Sequence, residues 1–365
     1  MRILITGAHF TTAVAVIEEL KKYDGVQPVY VGRKTTREGD SASSPESEIL
    51  PKLGVKFVPI ITGRLQRSFT IYTIPSLLKI PFGFIQSVLI LLKEKPDVIL
   101  SFGGYVAVPI VVVGWLFSIP IIIHEQTLVI GLSNKISSFF ADKIAVSFNT
   151  KNSFNPEKVI LTGNPIRKEI LNVRKSLGVK LVHPPGGLPT ILITGGNQGS
   201  HVINLAVEES LEKLTKIAYV IHQTGDSRFK DFERLEKRTS ERYEVKKWID
   251  DMGEIMKKVD LVVSRAGINT LSELAYLGIP ALVIPVPYLY KNEQNENAKY
   301  FEKLGSVKIL PQNKLNGENL LNNIKSMLKN IDSLKKDAKK AKAVIIPDAA
   351  KRLALETTLL AKRVA

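Results

Sequence analysis

Short apolar runs that alternate with stretches of helical spacing constrain this chain more than any other feature of its sequence. The first series is Arg2 to Thr6, Val29 to Val31, Lys56 to Pro59, Val98 to Ser101, Pro120 to His124, Lys143 to Ala145 and Val159 to Leu161. A second comprises Thr190 to Thr194, Ala218 to Gln223, Glu244 to Lys247, Leu261 to Ser264, Ala281 to Ile284 and Val307 to Ile309. Strands that alternate with helices predict parallel sheets flanked by helices, an α/β architecture. The Pro- and Gly-rich segment Leu181 to Pro189 (LVHPPGGLP) lies between the two series. Two Rossmann-like domains joined within residues 163–188 are the natural organisation, and 365 residues with 44% hydrophobic content suffice for two cores. A cleft between such domains is the default ligand site.

Composition removes several chemistries. With no cysteine, disulfides, thiolate metal sites and cysteine nucleophiles are excluded. His9, His124, His183, His201 and His222 are scattered without metal-ligand spacing, so no metal site is expected. The formal charge of +16 favours an anionic partner such as a nucleotide diphosphate or an acidic membrane surface. The densest basic cluster, Lys335 to Lys342 (KKDAKKAK), has no nucleic-acid-binding motif beside it, and no nucleic-acid partner is expected. No charged n-region followed by a cleavage site opens the sequence, so no secretory leader is expected. Ser101 to Ile123 lacks charge and has the length of a bilayer span. Its Gly103-Gly104, Pro109 and Pro120 instead predict a buried helix followed by a buried strand.

Four stretches carry the candidate chemistry. Ile5-Thr6-Gly7-Ala8-His9-Phe10 sits where a strand turns into a helix. The fingerprint G-x-G-x-x-G is absent there, which disfavours a nicotinamide cofactor. From the residues alone His9 reads as a helix cap, a packing residue or a chemical group. Gly195-Gly196-Asn197-Gln198-Gly199-Ser200 follows a strand and opens a helix, and its glycines would let backbone curl around a phosphate. Arg265 to Glu273 (RAGINTLSE) repeats that logic: the N–H groups of Ile268, Asn269 and Thr270 would cradle a pyrophosphate. Glu273 suits either a ribose diol or the helix dipole. Finally, Lys291 to Ala298 (KNEQNENA) offers polar groups for sugar hydroxyls, or an ordinary polar cap.

Together these stretches resemble the MurG family over nearly the whole chain. The resemblance is carried by GAH at 7–9, FGGY at 102–105, IPIIIHEQ at 119–126, GLSNK at 131–135 and GNPIR at 163–167. It continues through GGNQGS at 195–200, WIDDM at 248–252, RAGINTLSE at 265–273, EQNENA at 293–298 and IPDAAKR at 346–352. It implies the two-domain GT-B fold and transfer of N-acetylglucosamine from UDP-N-acetylglucosamine to lipid I, giving lipid II, without metal or cofactor. Residues 1–164 would form the acceptor domain, 165–346 the nucleotide-sugar domain, and 347–365 a helix returning to the first.

By resemblance, Trp248 and Ile249 would flank uracil. Gly267, Ile268, Asn269 and Thr270 would hold the diphosphate, with Arg167, Asn197 and Gln198 beside it. Glu273 would take the ribose, and Glu293 and Gln294 the sugar. His9 would be the base, with Thr6, Gly7, Tyr105, His124, Glu125, Gln126, Thr127 and Asn134 shaping the acceptor pocket. Tyr72 to Phe84 (YTIPSLLKIPFGF) resembles the family's apolar patch for the membrane, which implies a peripheral site on the cytoplasmic face of the plasma membrane. Four positions depart from the family's pattern: Ala8 stands for glycine, Thr12 for proline, Thr127 for asparagine and Asn197 for serine. The alternatives are another GT-B glycosyltransferase with a different lipid acceptor, a UDP-N-acetylglucosamine epimerase, or a non-catalytic nucleotide-sugar or nucleic-acid binding protein.

Overall fold

The computed structural model describes residues 1–35, 44–63, 73–149, 154–173, 187–196, 198–226 and 229–362. They fall into two units, Met1–Arg167 with Ile346–Ala365, and Lys168–Ile345.

Unit 1 is built on a sheet ordered β3-β2-β1-β4-β5-β6-β7. Its strands are β1 (Arg2–Gly7), β2 (Gln27–Gly32), β3 (Lys56–Pro59), β4 (Val98–Phe102), β5 (Ile121–Glu125), β6 (Lys143–Val146) and β7 (Val159–Leu161). Every neighbouring pair is parallel. The central strands explain why: β4 and β5 are buried along their full length, as expected of apolar strands covered on both faces. The strand order reverses between β1 and β4, so the chains leaving their C-terminal ends part and open a crevice there.

The helices of unit 1 are α1 (Phe10–Leu20), α2 (Pro45–Lys52), α3 (Thr73–Glu94), α4 (Ala107–Leu116), α5 (Leu132–Phe140) and α14 (Ala349–Lys362). Helix α14 packs on α1. There Ala350, Leu353, Ala354 and Leu360 join the core made by Ile3, Ile5, Val16, Ile17 and Leu100. Each buried leucine contributes about 2 kcal/mol by removal from water. Gly163 (φ +90°) admits the segment leading into α14, because a Cβ there would lie 2.6 Å from Ile346 Cβ.

Unit 2 repeats the plan with order β10-β9-β8-β11-β12-β13. Its strands are β8 (Thr190–Thr194), β9 (Tyr219–Gln223), β10 (Tyr243–Lys246), β11 (Leu261–Ser264), β12 (Ala281–Val283) and β13 (Val307–Ile309). Its helices are α6 (Lys168–Val173), α7 (His201–Leu214), α8 (Asp231–Glu236), α9 (Met252–Met256), α10 (Ile268–Leu277), α11 (Glu293–Lys303), α12 (Gly317–Lys329) and α13 (Ile331–Lys340). Here the reversal falls between β8 and β11.

The strands read from the sequence all occur, with ends displaced by a residue or two. Pro120 lies just outside β5 for a local reason: it has no N–H to give the ladder, although its carbonyl accepts from Ile99 N–H at 2.9 Å. The charge-free stretch 101–123 is divided among β4, the buried helix α4 and β5. Among the described residues, the helix long and apolar enough to cross a membrane is Ser76–Glu94 within α3. The sequence reading ended its apolar patch at Phe84, whereas α3 runs ten residues further; within the patch itself the helix continues through Pro81, a residue that ordinarily interrupts a helix.

Candidate active site

The reversal in unit 1 gathers side chains from three loops. Strand β1 ends at Gly7 (φ +142°), where a Cβ would sit 2.8 Å from the backbone carbon of Phe102. Only glycine fits between adjacent strand ends at that distance and dihedral. Ala8 N–H then donates to Gly103 carbonyl at 3.0 Å, and His9 takes the N-cap position of α1. Its ring makes no capping bond. Instead Nδ1 lies 2.7 Å from Gln126 Nε2, just beyond β5, and Gln126 Oε1 accepts from the Thr12 hydroxyl at 2.9 Å. The ring keeps partial access to solvent, yet the protein packed around it lowers its pKa from 6.5 to about 4. A charge is disfavoured in that low-dielectric setting, so His9 is neutral at pH 7.

Behind this seat, Glu125 acts as a hub. One carboxylate oxygen accepts from Thr127 N–H at 3.1 Å and from the Thr127 hydroxyl at 2.9 Å. The other accepts from Gly131 N–H at 3.0 Å and Asn134 Nδ2 at 3.1 Å. Burial raises the Glu125 pKa, and these donors oppose the rise. Asn134 also donates to His124 carbonyl at 3.0 Å, and a Cβ on Gly103 would lie 2.8 Å from Asn134 Oδ1. Tyr105 is half-buried, with the Arg33 guanidinium 5.9 Å from its ring centre.

His124 departs from the acceptor role expected of it. It is fully buried, and its Nε2 lies 3.2 Å from Gly163 carbonyl and 3.3 Å from Ser147 Oγ. Its contacts are those of a core group that holds the end of β5. Thr6 is likewise fully buried, whereas Gly7 carbonyl accepts from the Tyr30 hydroxyl at 2.9 Å.

In unit 2 the loop after β8 is shaped largely by packing. A Cβ on Gly199 would lie 1.9 Å from Thr224 carbonyl oxygen, and one on Gly195 would lie 2.2 Å from Ser200 N. Gly196 is different: its φ is +81° and nothing stands within 4 Å of the Cβ position. Asn197 lies outside the described residues, and Gln198 is exposed. Arg265, at the end of β11, donates from Nη2 to Ser200 Oγ at 2.8 Å and from Nη1 to Ile284 carbonyl at 3.0 Å. It thereby ties three strand ends together.

Gly267 is the more informative glycine. Its φ of −69° is open to any residue, and nothing lies within 4 Å of its Cβ position. It is the N-cap of α10, and no side chain caps that helix. The first N–H groups of α10, those of Ile268, Asn269 and Thr270, therefore begin a helix without a side-chain cap, beside open space at Gly267, the arrangement that attracts an anion. Glu273 is buried one turn further on.

Trp248 is 50% exposed and Ile249 buried, beyond β10. Lys291 (φ +47°) and Asn292 (φ +57°) hold two successive left-handed conformations before α11, a local strain of the kind that concentrates at functional sites. They set Glu293 and Gln294 on the first turn, where Gln294 Oε1 accepts from Val286 N–H at 3.0 Å.

The expected acceptor-side residues thus collect at the C-terminal ends of β1, β4 and β5. Those expected to hold the nucleotide sugar collect at the ends of β8, β10, β11 and β12. Arg167 is the exception: it closes unit 1. Sequence reasoning named Thr12 only as a departure from the family's pattern and Arg265 only as the start of RAGINTLSE, with no partner for either, and it missed a buried cluster beneath the β8 loop. There Asp231 accepts from His201 Nδ1 at 2.8 Å, Asn204 Nδ2 at 3.0 Å and Arg234 Nη2 at 2.7 Å. Among the described residues no group of three or more His, Cys, Asp or Glu is placed to hold a metal ion.

Known proteins share both halves of this arrangement. The glycosyltransferase family 28 N-terminal domain matches residues 6–146, and the family 28 C-terminal domain matches residues 190–353. A UDP-N-acetylglucosamine–N-acetylmuramyl-(pentapeptide) pyrophosphoryl-undecaprenol N-acetylglucosamine transferase of Bacillus cytotoxicus is 35% identical, with 97% of each chain covered. Its namesake in Listeria welshimeri is 33% identical over 95% of each chain. Among solved structures, MurG of Acinetobacter baumannii has a TM-score of 0.72 at 24% identity, covering 98% of this chain and 99% of that one. The chain belongs to the MurG family of N-acetylglucosamine transferases, within glycosyltransferase family 28.

Proposed function

We propose that the chain transfers N-acetylglucosamine from UDP-N-acetylglucosamine to the 4-hydroxyl of the N-acetylmuramyl sugar of lipid I, with inversion and without metal. The observation that carries the reading is the uncapped start of α10 at Gly267, where neither dihedral nor packing calls for glycine but a diphosphate would. The relatives' activity supplies the substrate class. Unit 2 holds the nucleotide sugar: Trp248 and Ile249 beside uracil, Glu273 on the ribose, Glu293 and Gln294 on the sugar. Gln198 and the N–H groups of residues 268–270 take the diphosphate and stabilise it as it departs, and the resemblance adds Asn197 and Arg167 to that role. Unit 1 holds the acceptor through Tyr105, Gln126, Thr127 and Asn134, and Glu125 fixes the last two.

The reaction is tested with labelled UDP-N-acetylglucosamine and a lipid I analogue, where transfer is expected. UDP binding without transfer overturns the reading. Gly267→Val separates ligand from structure. It is expected to weaken UDP binding about tenfold or more, over 1.4 kcal/mol, while stability changes by less than about 1 kcal/mol. A large loss of stability with unchanged UDP affinity is the opposing result.

Membrane attachment is part of the proposal. Helix α3 turns an apolar stripe outward: Leu78 is 72% exposed and Leu89 62%, with Phe82, Ile85 and Leu92 between and beyond them. The spacing of four and three residues places all five on one face. Trp115, Leu116 and Phe117, at the end of the adjoining α4, are exposed as well. An outward apolar face on a helix with exposed Lys93, in a chain of charge +16, fits reversible binding to an anionic leaflet, here the cytoplasmic face of the plasma membrane. The double variant Leu78→Glu, Leu89→Glu is expected to abolish co-sedimentation with anionic vesicles and to leave turnover of a soluble acceptor analogue unchanged. Undiminished co-sedimentation would refute the assignment.

A further inference from the structure

His9 faces a carboxamide rather than a carboxylate, and that choice has a chemical consequence. As the hydrogen bonds stand, the Thr12 hydroxyl donates to Gln126 Oε1 at 2.9 Å, so Gln126 offers its N–H to His9 Nδ1 at 2.7 Å. A neutral imidazole that accepts at Nδ1 carries its single proton on Nε2. Such a ring donates a hydrogen bond through Nε2 and has no lone pair there with which to take a proton.

Half a turn of the Gln126 carboxamide exchanges the roles. Oε1 then accepts from Nδ1–H, the amide N–H donates to Thr12 Oγ1, and Nε2 carries the lone pair. Both arrangements keep the same bonds, because a hydroxyl both donates and accepts. Thr12 and Gln126 are buried, so water does not readily replace either partner. Two other titratable groups adjoin this seat. His124 is engaged with Gly163 and Ser147, and Glu125 with Thr127, Gly131 and Asn134.

We propose that Thr12 and Gln126 form a two-state relay that sets the tautomer of His9, and so decides whether the ring donates to the acceptor hydroxyl or removes its proton. Tautomer control stands on the contacts alone, while its catalytic consequence rests on the function proposed above. In the first state Nε2–H donates to the acceptor oxygen. Water takes the proton from Nε2 and supplies one to Nδ1 as the carboxamide turns away, so the ring stays neutral. The acceptor O–H bond then breaks, its proton forms Nε2–H, and the oxygen's electron pair bonds the anomeric carbon. The bond from the anomeric carbon to the diphosphate oxygen breaks as the new one forms, and UDP departs with its electron pair. The resulting imidazolium keeps Nδ1–H on Gln126 Oε1 and returns the Nε2 proton to water after product leaves.

Two variants drive the ring in opposite directions, and ¹⁵N resonances of His9 in the full chain report it. Thr12→Val removes the hydroxyl. It is expected to lock Nε2–H, because an orphaned carbonyl oxygen is tolerated better than orphaned N–H groups. Turnover should fall about tenfold or more with an unchanged KM for UDP-N-acetylglucosamine, and Thr12→Ser should restore both signals. Gln126→Glu supplies only acceptors, so it is expected to lock Nδ1–H. Wild type should lie between these limits. Ring shifts identical to wild type in both variants overturn the relay, and if Thr12→Val does not fold, Gln126→Glu decides alone. Tautomers that move while turnover does not would uphold the relay and remove His9 as the base.

Discussion

His9→Ala is expected to lower turnover by about 10²-fold or more, the usual contribution of a positioned general base, while UDP affinity stays nearly intact. The split follows from placement: His9 belongs to unit 1, whereas the uncapped α10 helix and Trp248 belong to unit 2. The pH dependence sharpens the test. With burial holding the ring near a pKa of 4, the neutral base persists as pH falls well below 6.5, so kcat/KM should lose activity only as pH approaches about 4. An anionic diphosphate acceptor favours the imidazolium, so the acidic limb of kcat, which reports the complex, should lie above that of kcat/KM. A variant with wild-type turnover would leave His9 a structural residue.

Asp231→Ala is expected to destabilise unit 2 by about 3 kcal/mol and to raise the KM for the nucleotide sugar. Its carboxylate is shielded from solvent and accepts from His201, Asn204 and Arg234. Removing one member of a buried charged network costs about 3–5 kcal/mol. The lower end applies because Arg234 reaches solvent and retains Glu208 at 2.8 Å. The kinetic effect follows from position. His201 opens α7 directly after the β8 loop, and Asn204 Nδ2 also donates to Thr224 carbonyl at 3.1 Å, the strand end against which Gly199 packs. Loss of the hub frees the wall of that loop. Denaturant unfolding and initial-rate kinetics on one preparation measure both effects. Unchanged stability would show that the cluster is not a brace.

Much of the fold was legible because parallel strands covered on both faces are written as continuous apolar runs. β4, β5 and β8 needed no long-range information to recognise. The constellations were legible as residue types at strand ends but not as partners. Nothing local in HEQ or in the first turn of α1 says that Gln126 reaches His9 across 117 positions; the parallel pairing of β1 with β4 and β4 with β5 brings them together. His124 and Glu125 illustrate the opposite difficulty. Adjacent in a motif, they look like one contact surface, yet one ring is interior and the other side chain is spent on backbone N–H groups and Asn134. The outward stripe of α3 was only half read, because the apolar patch was ended at Phe84 whereas the helix continues to Glu94.

The return of α14 to unit 1 orders events on the ribosome. Unit 2 is one unbroken segment, whereas the core of unit 1 waits for Leu353 and Leu360, which are made only after the last residue of unit 2. The half of the chain synthesised first is therefore the half completed last. Until then α1 exposes the apolar surface that α14 will cover, and chaperone attention belongs to that interval.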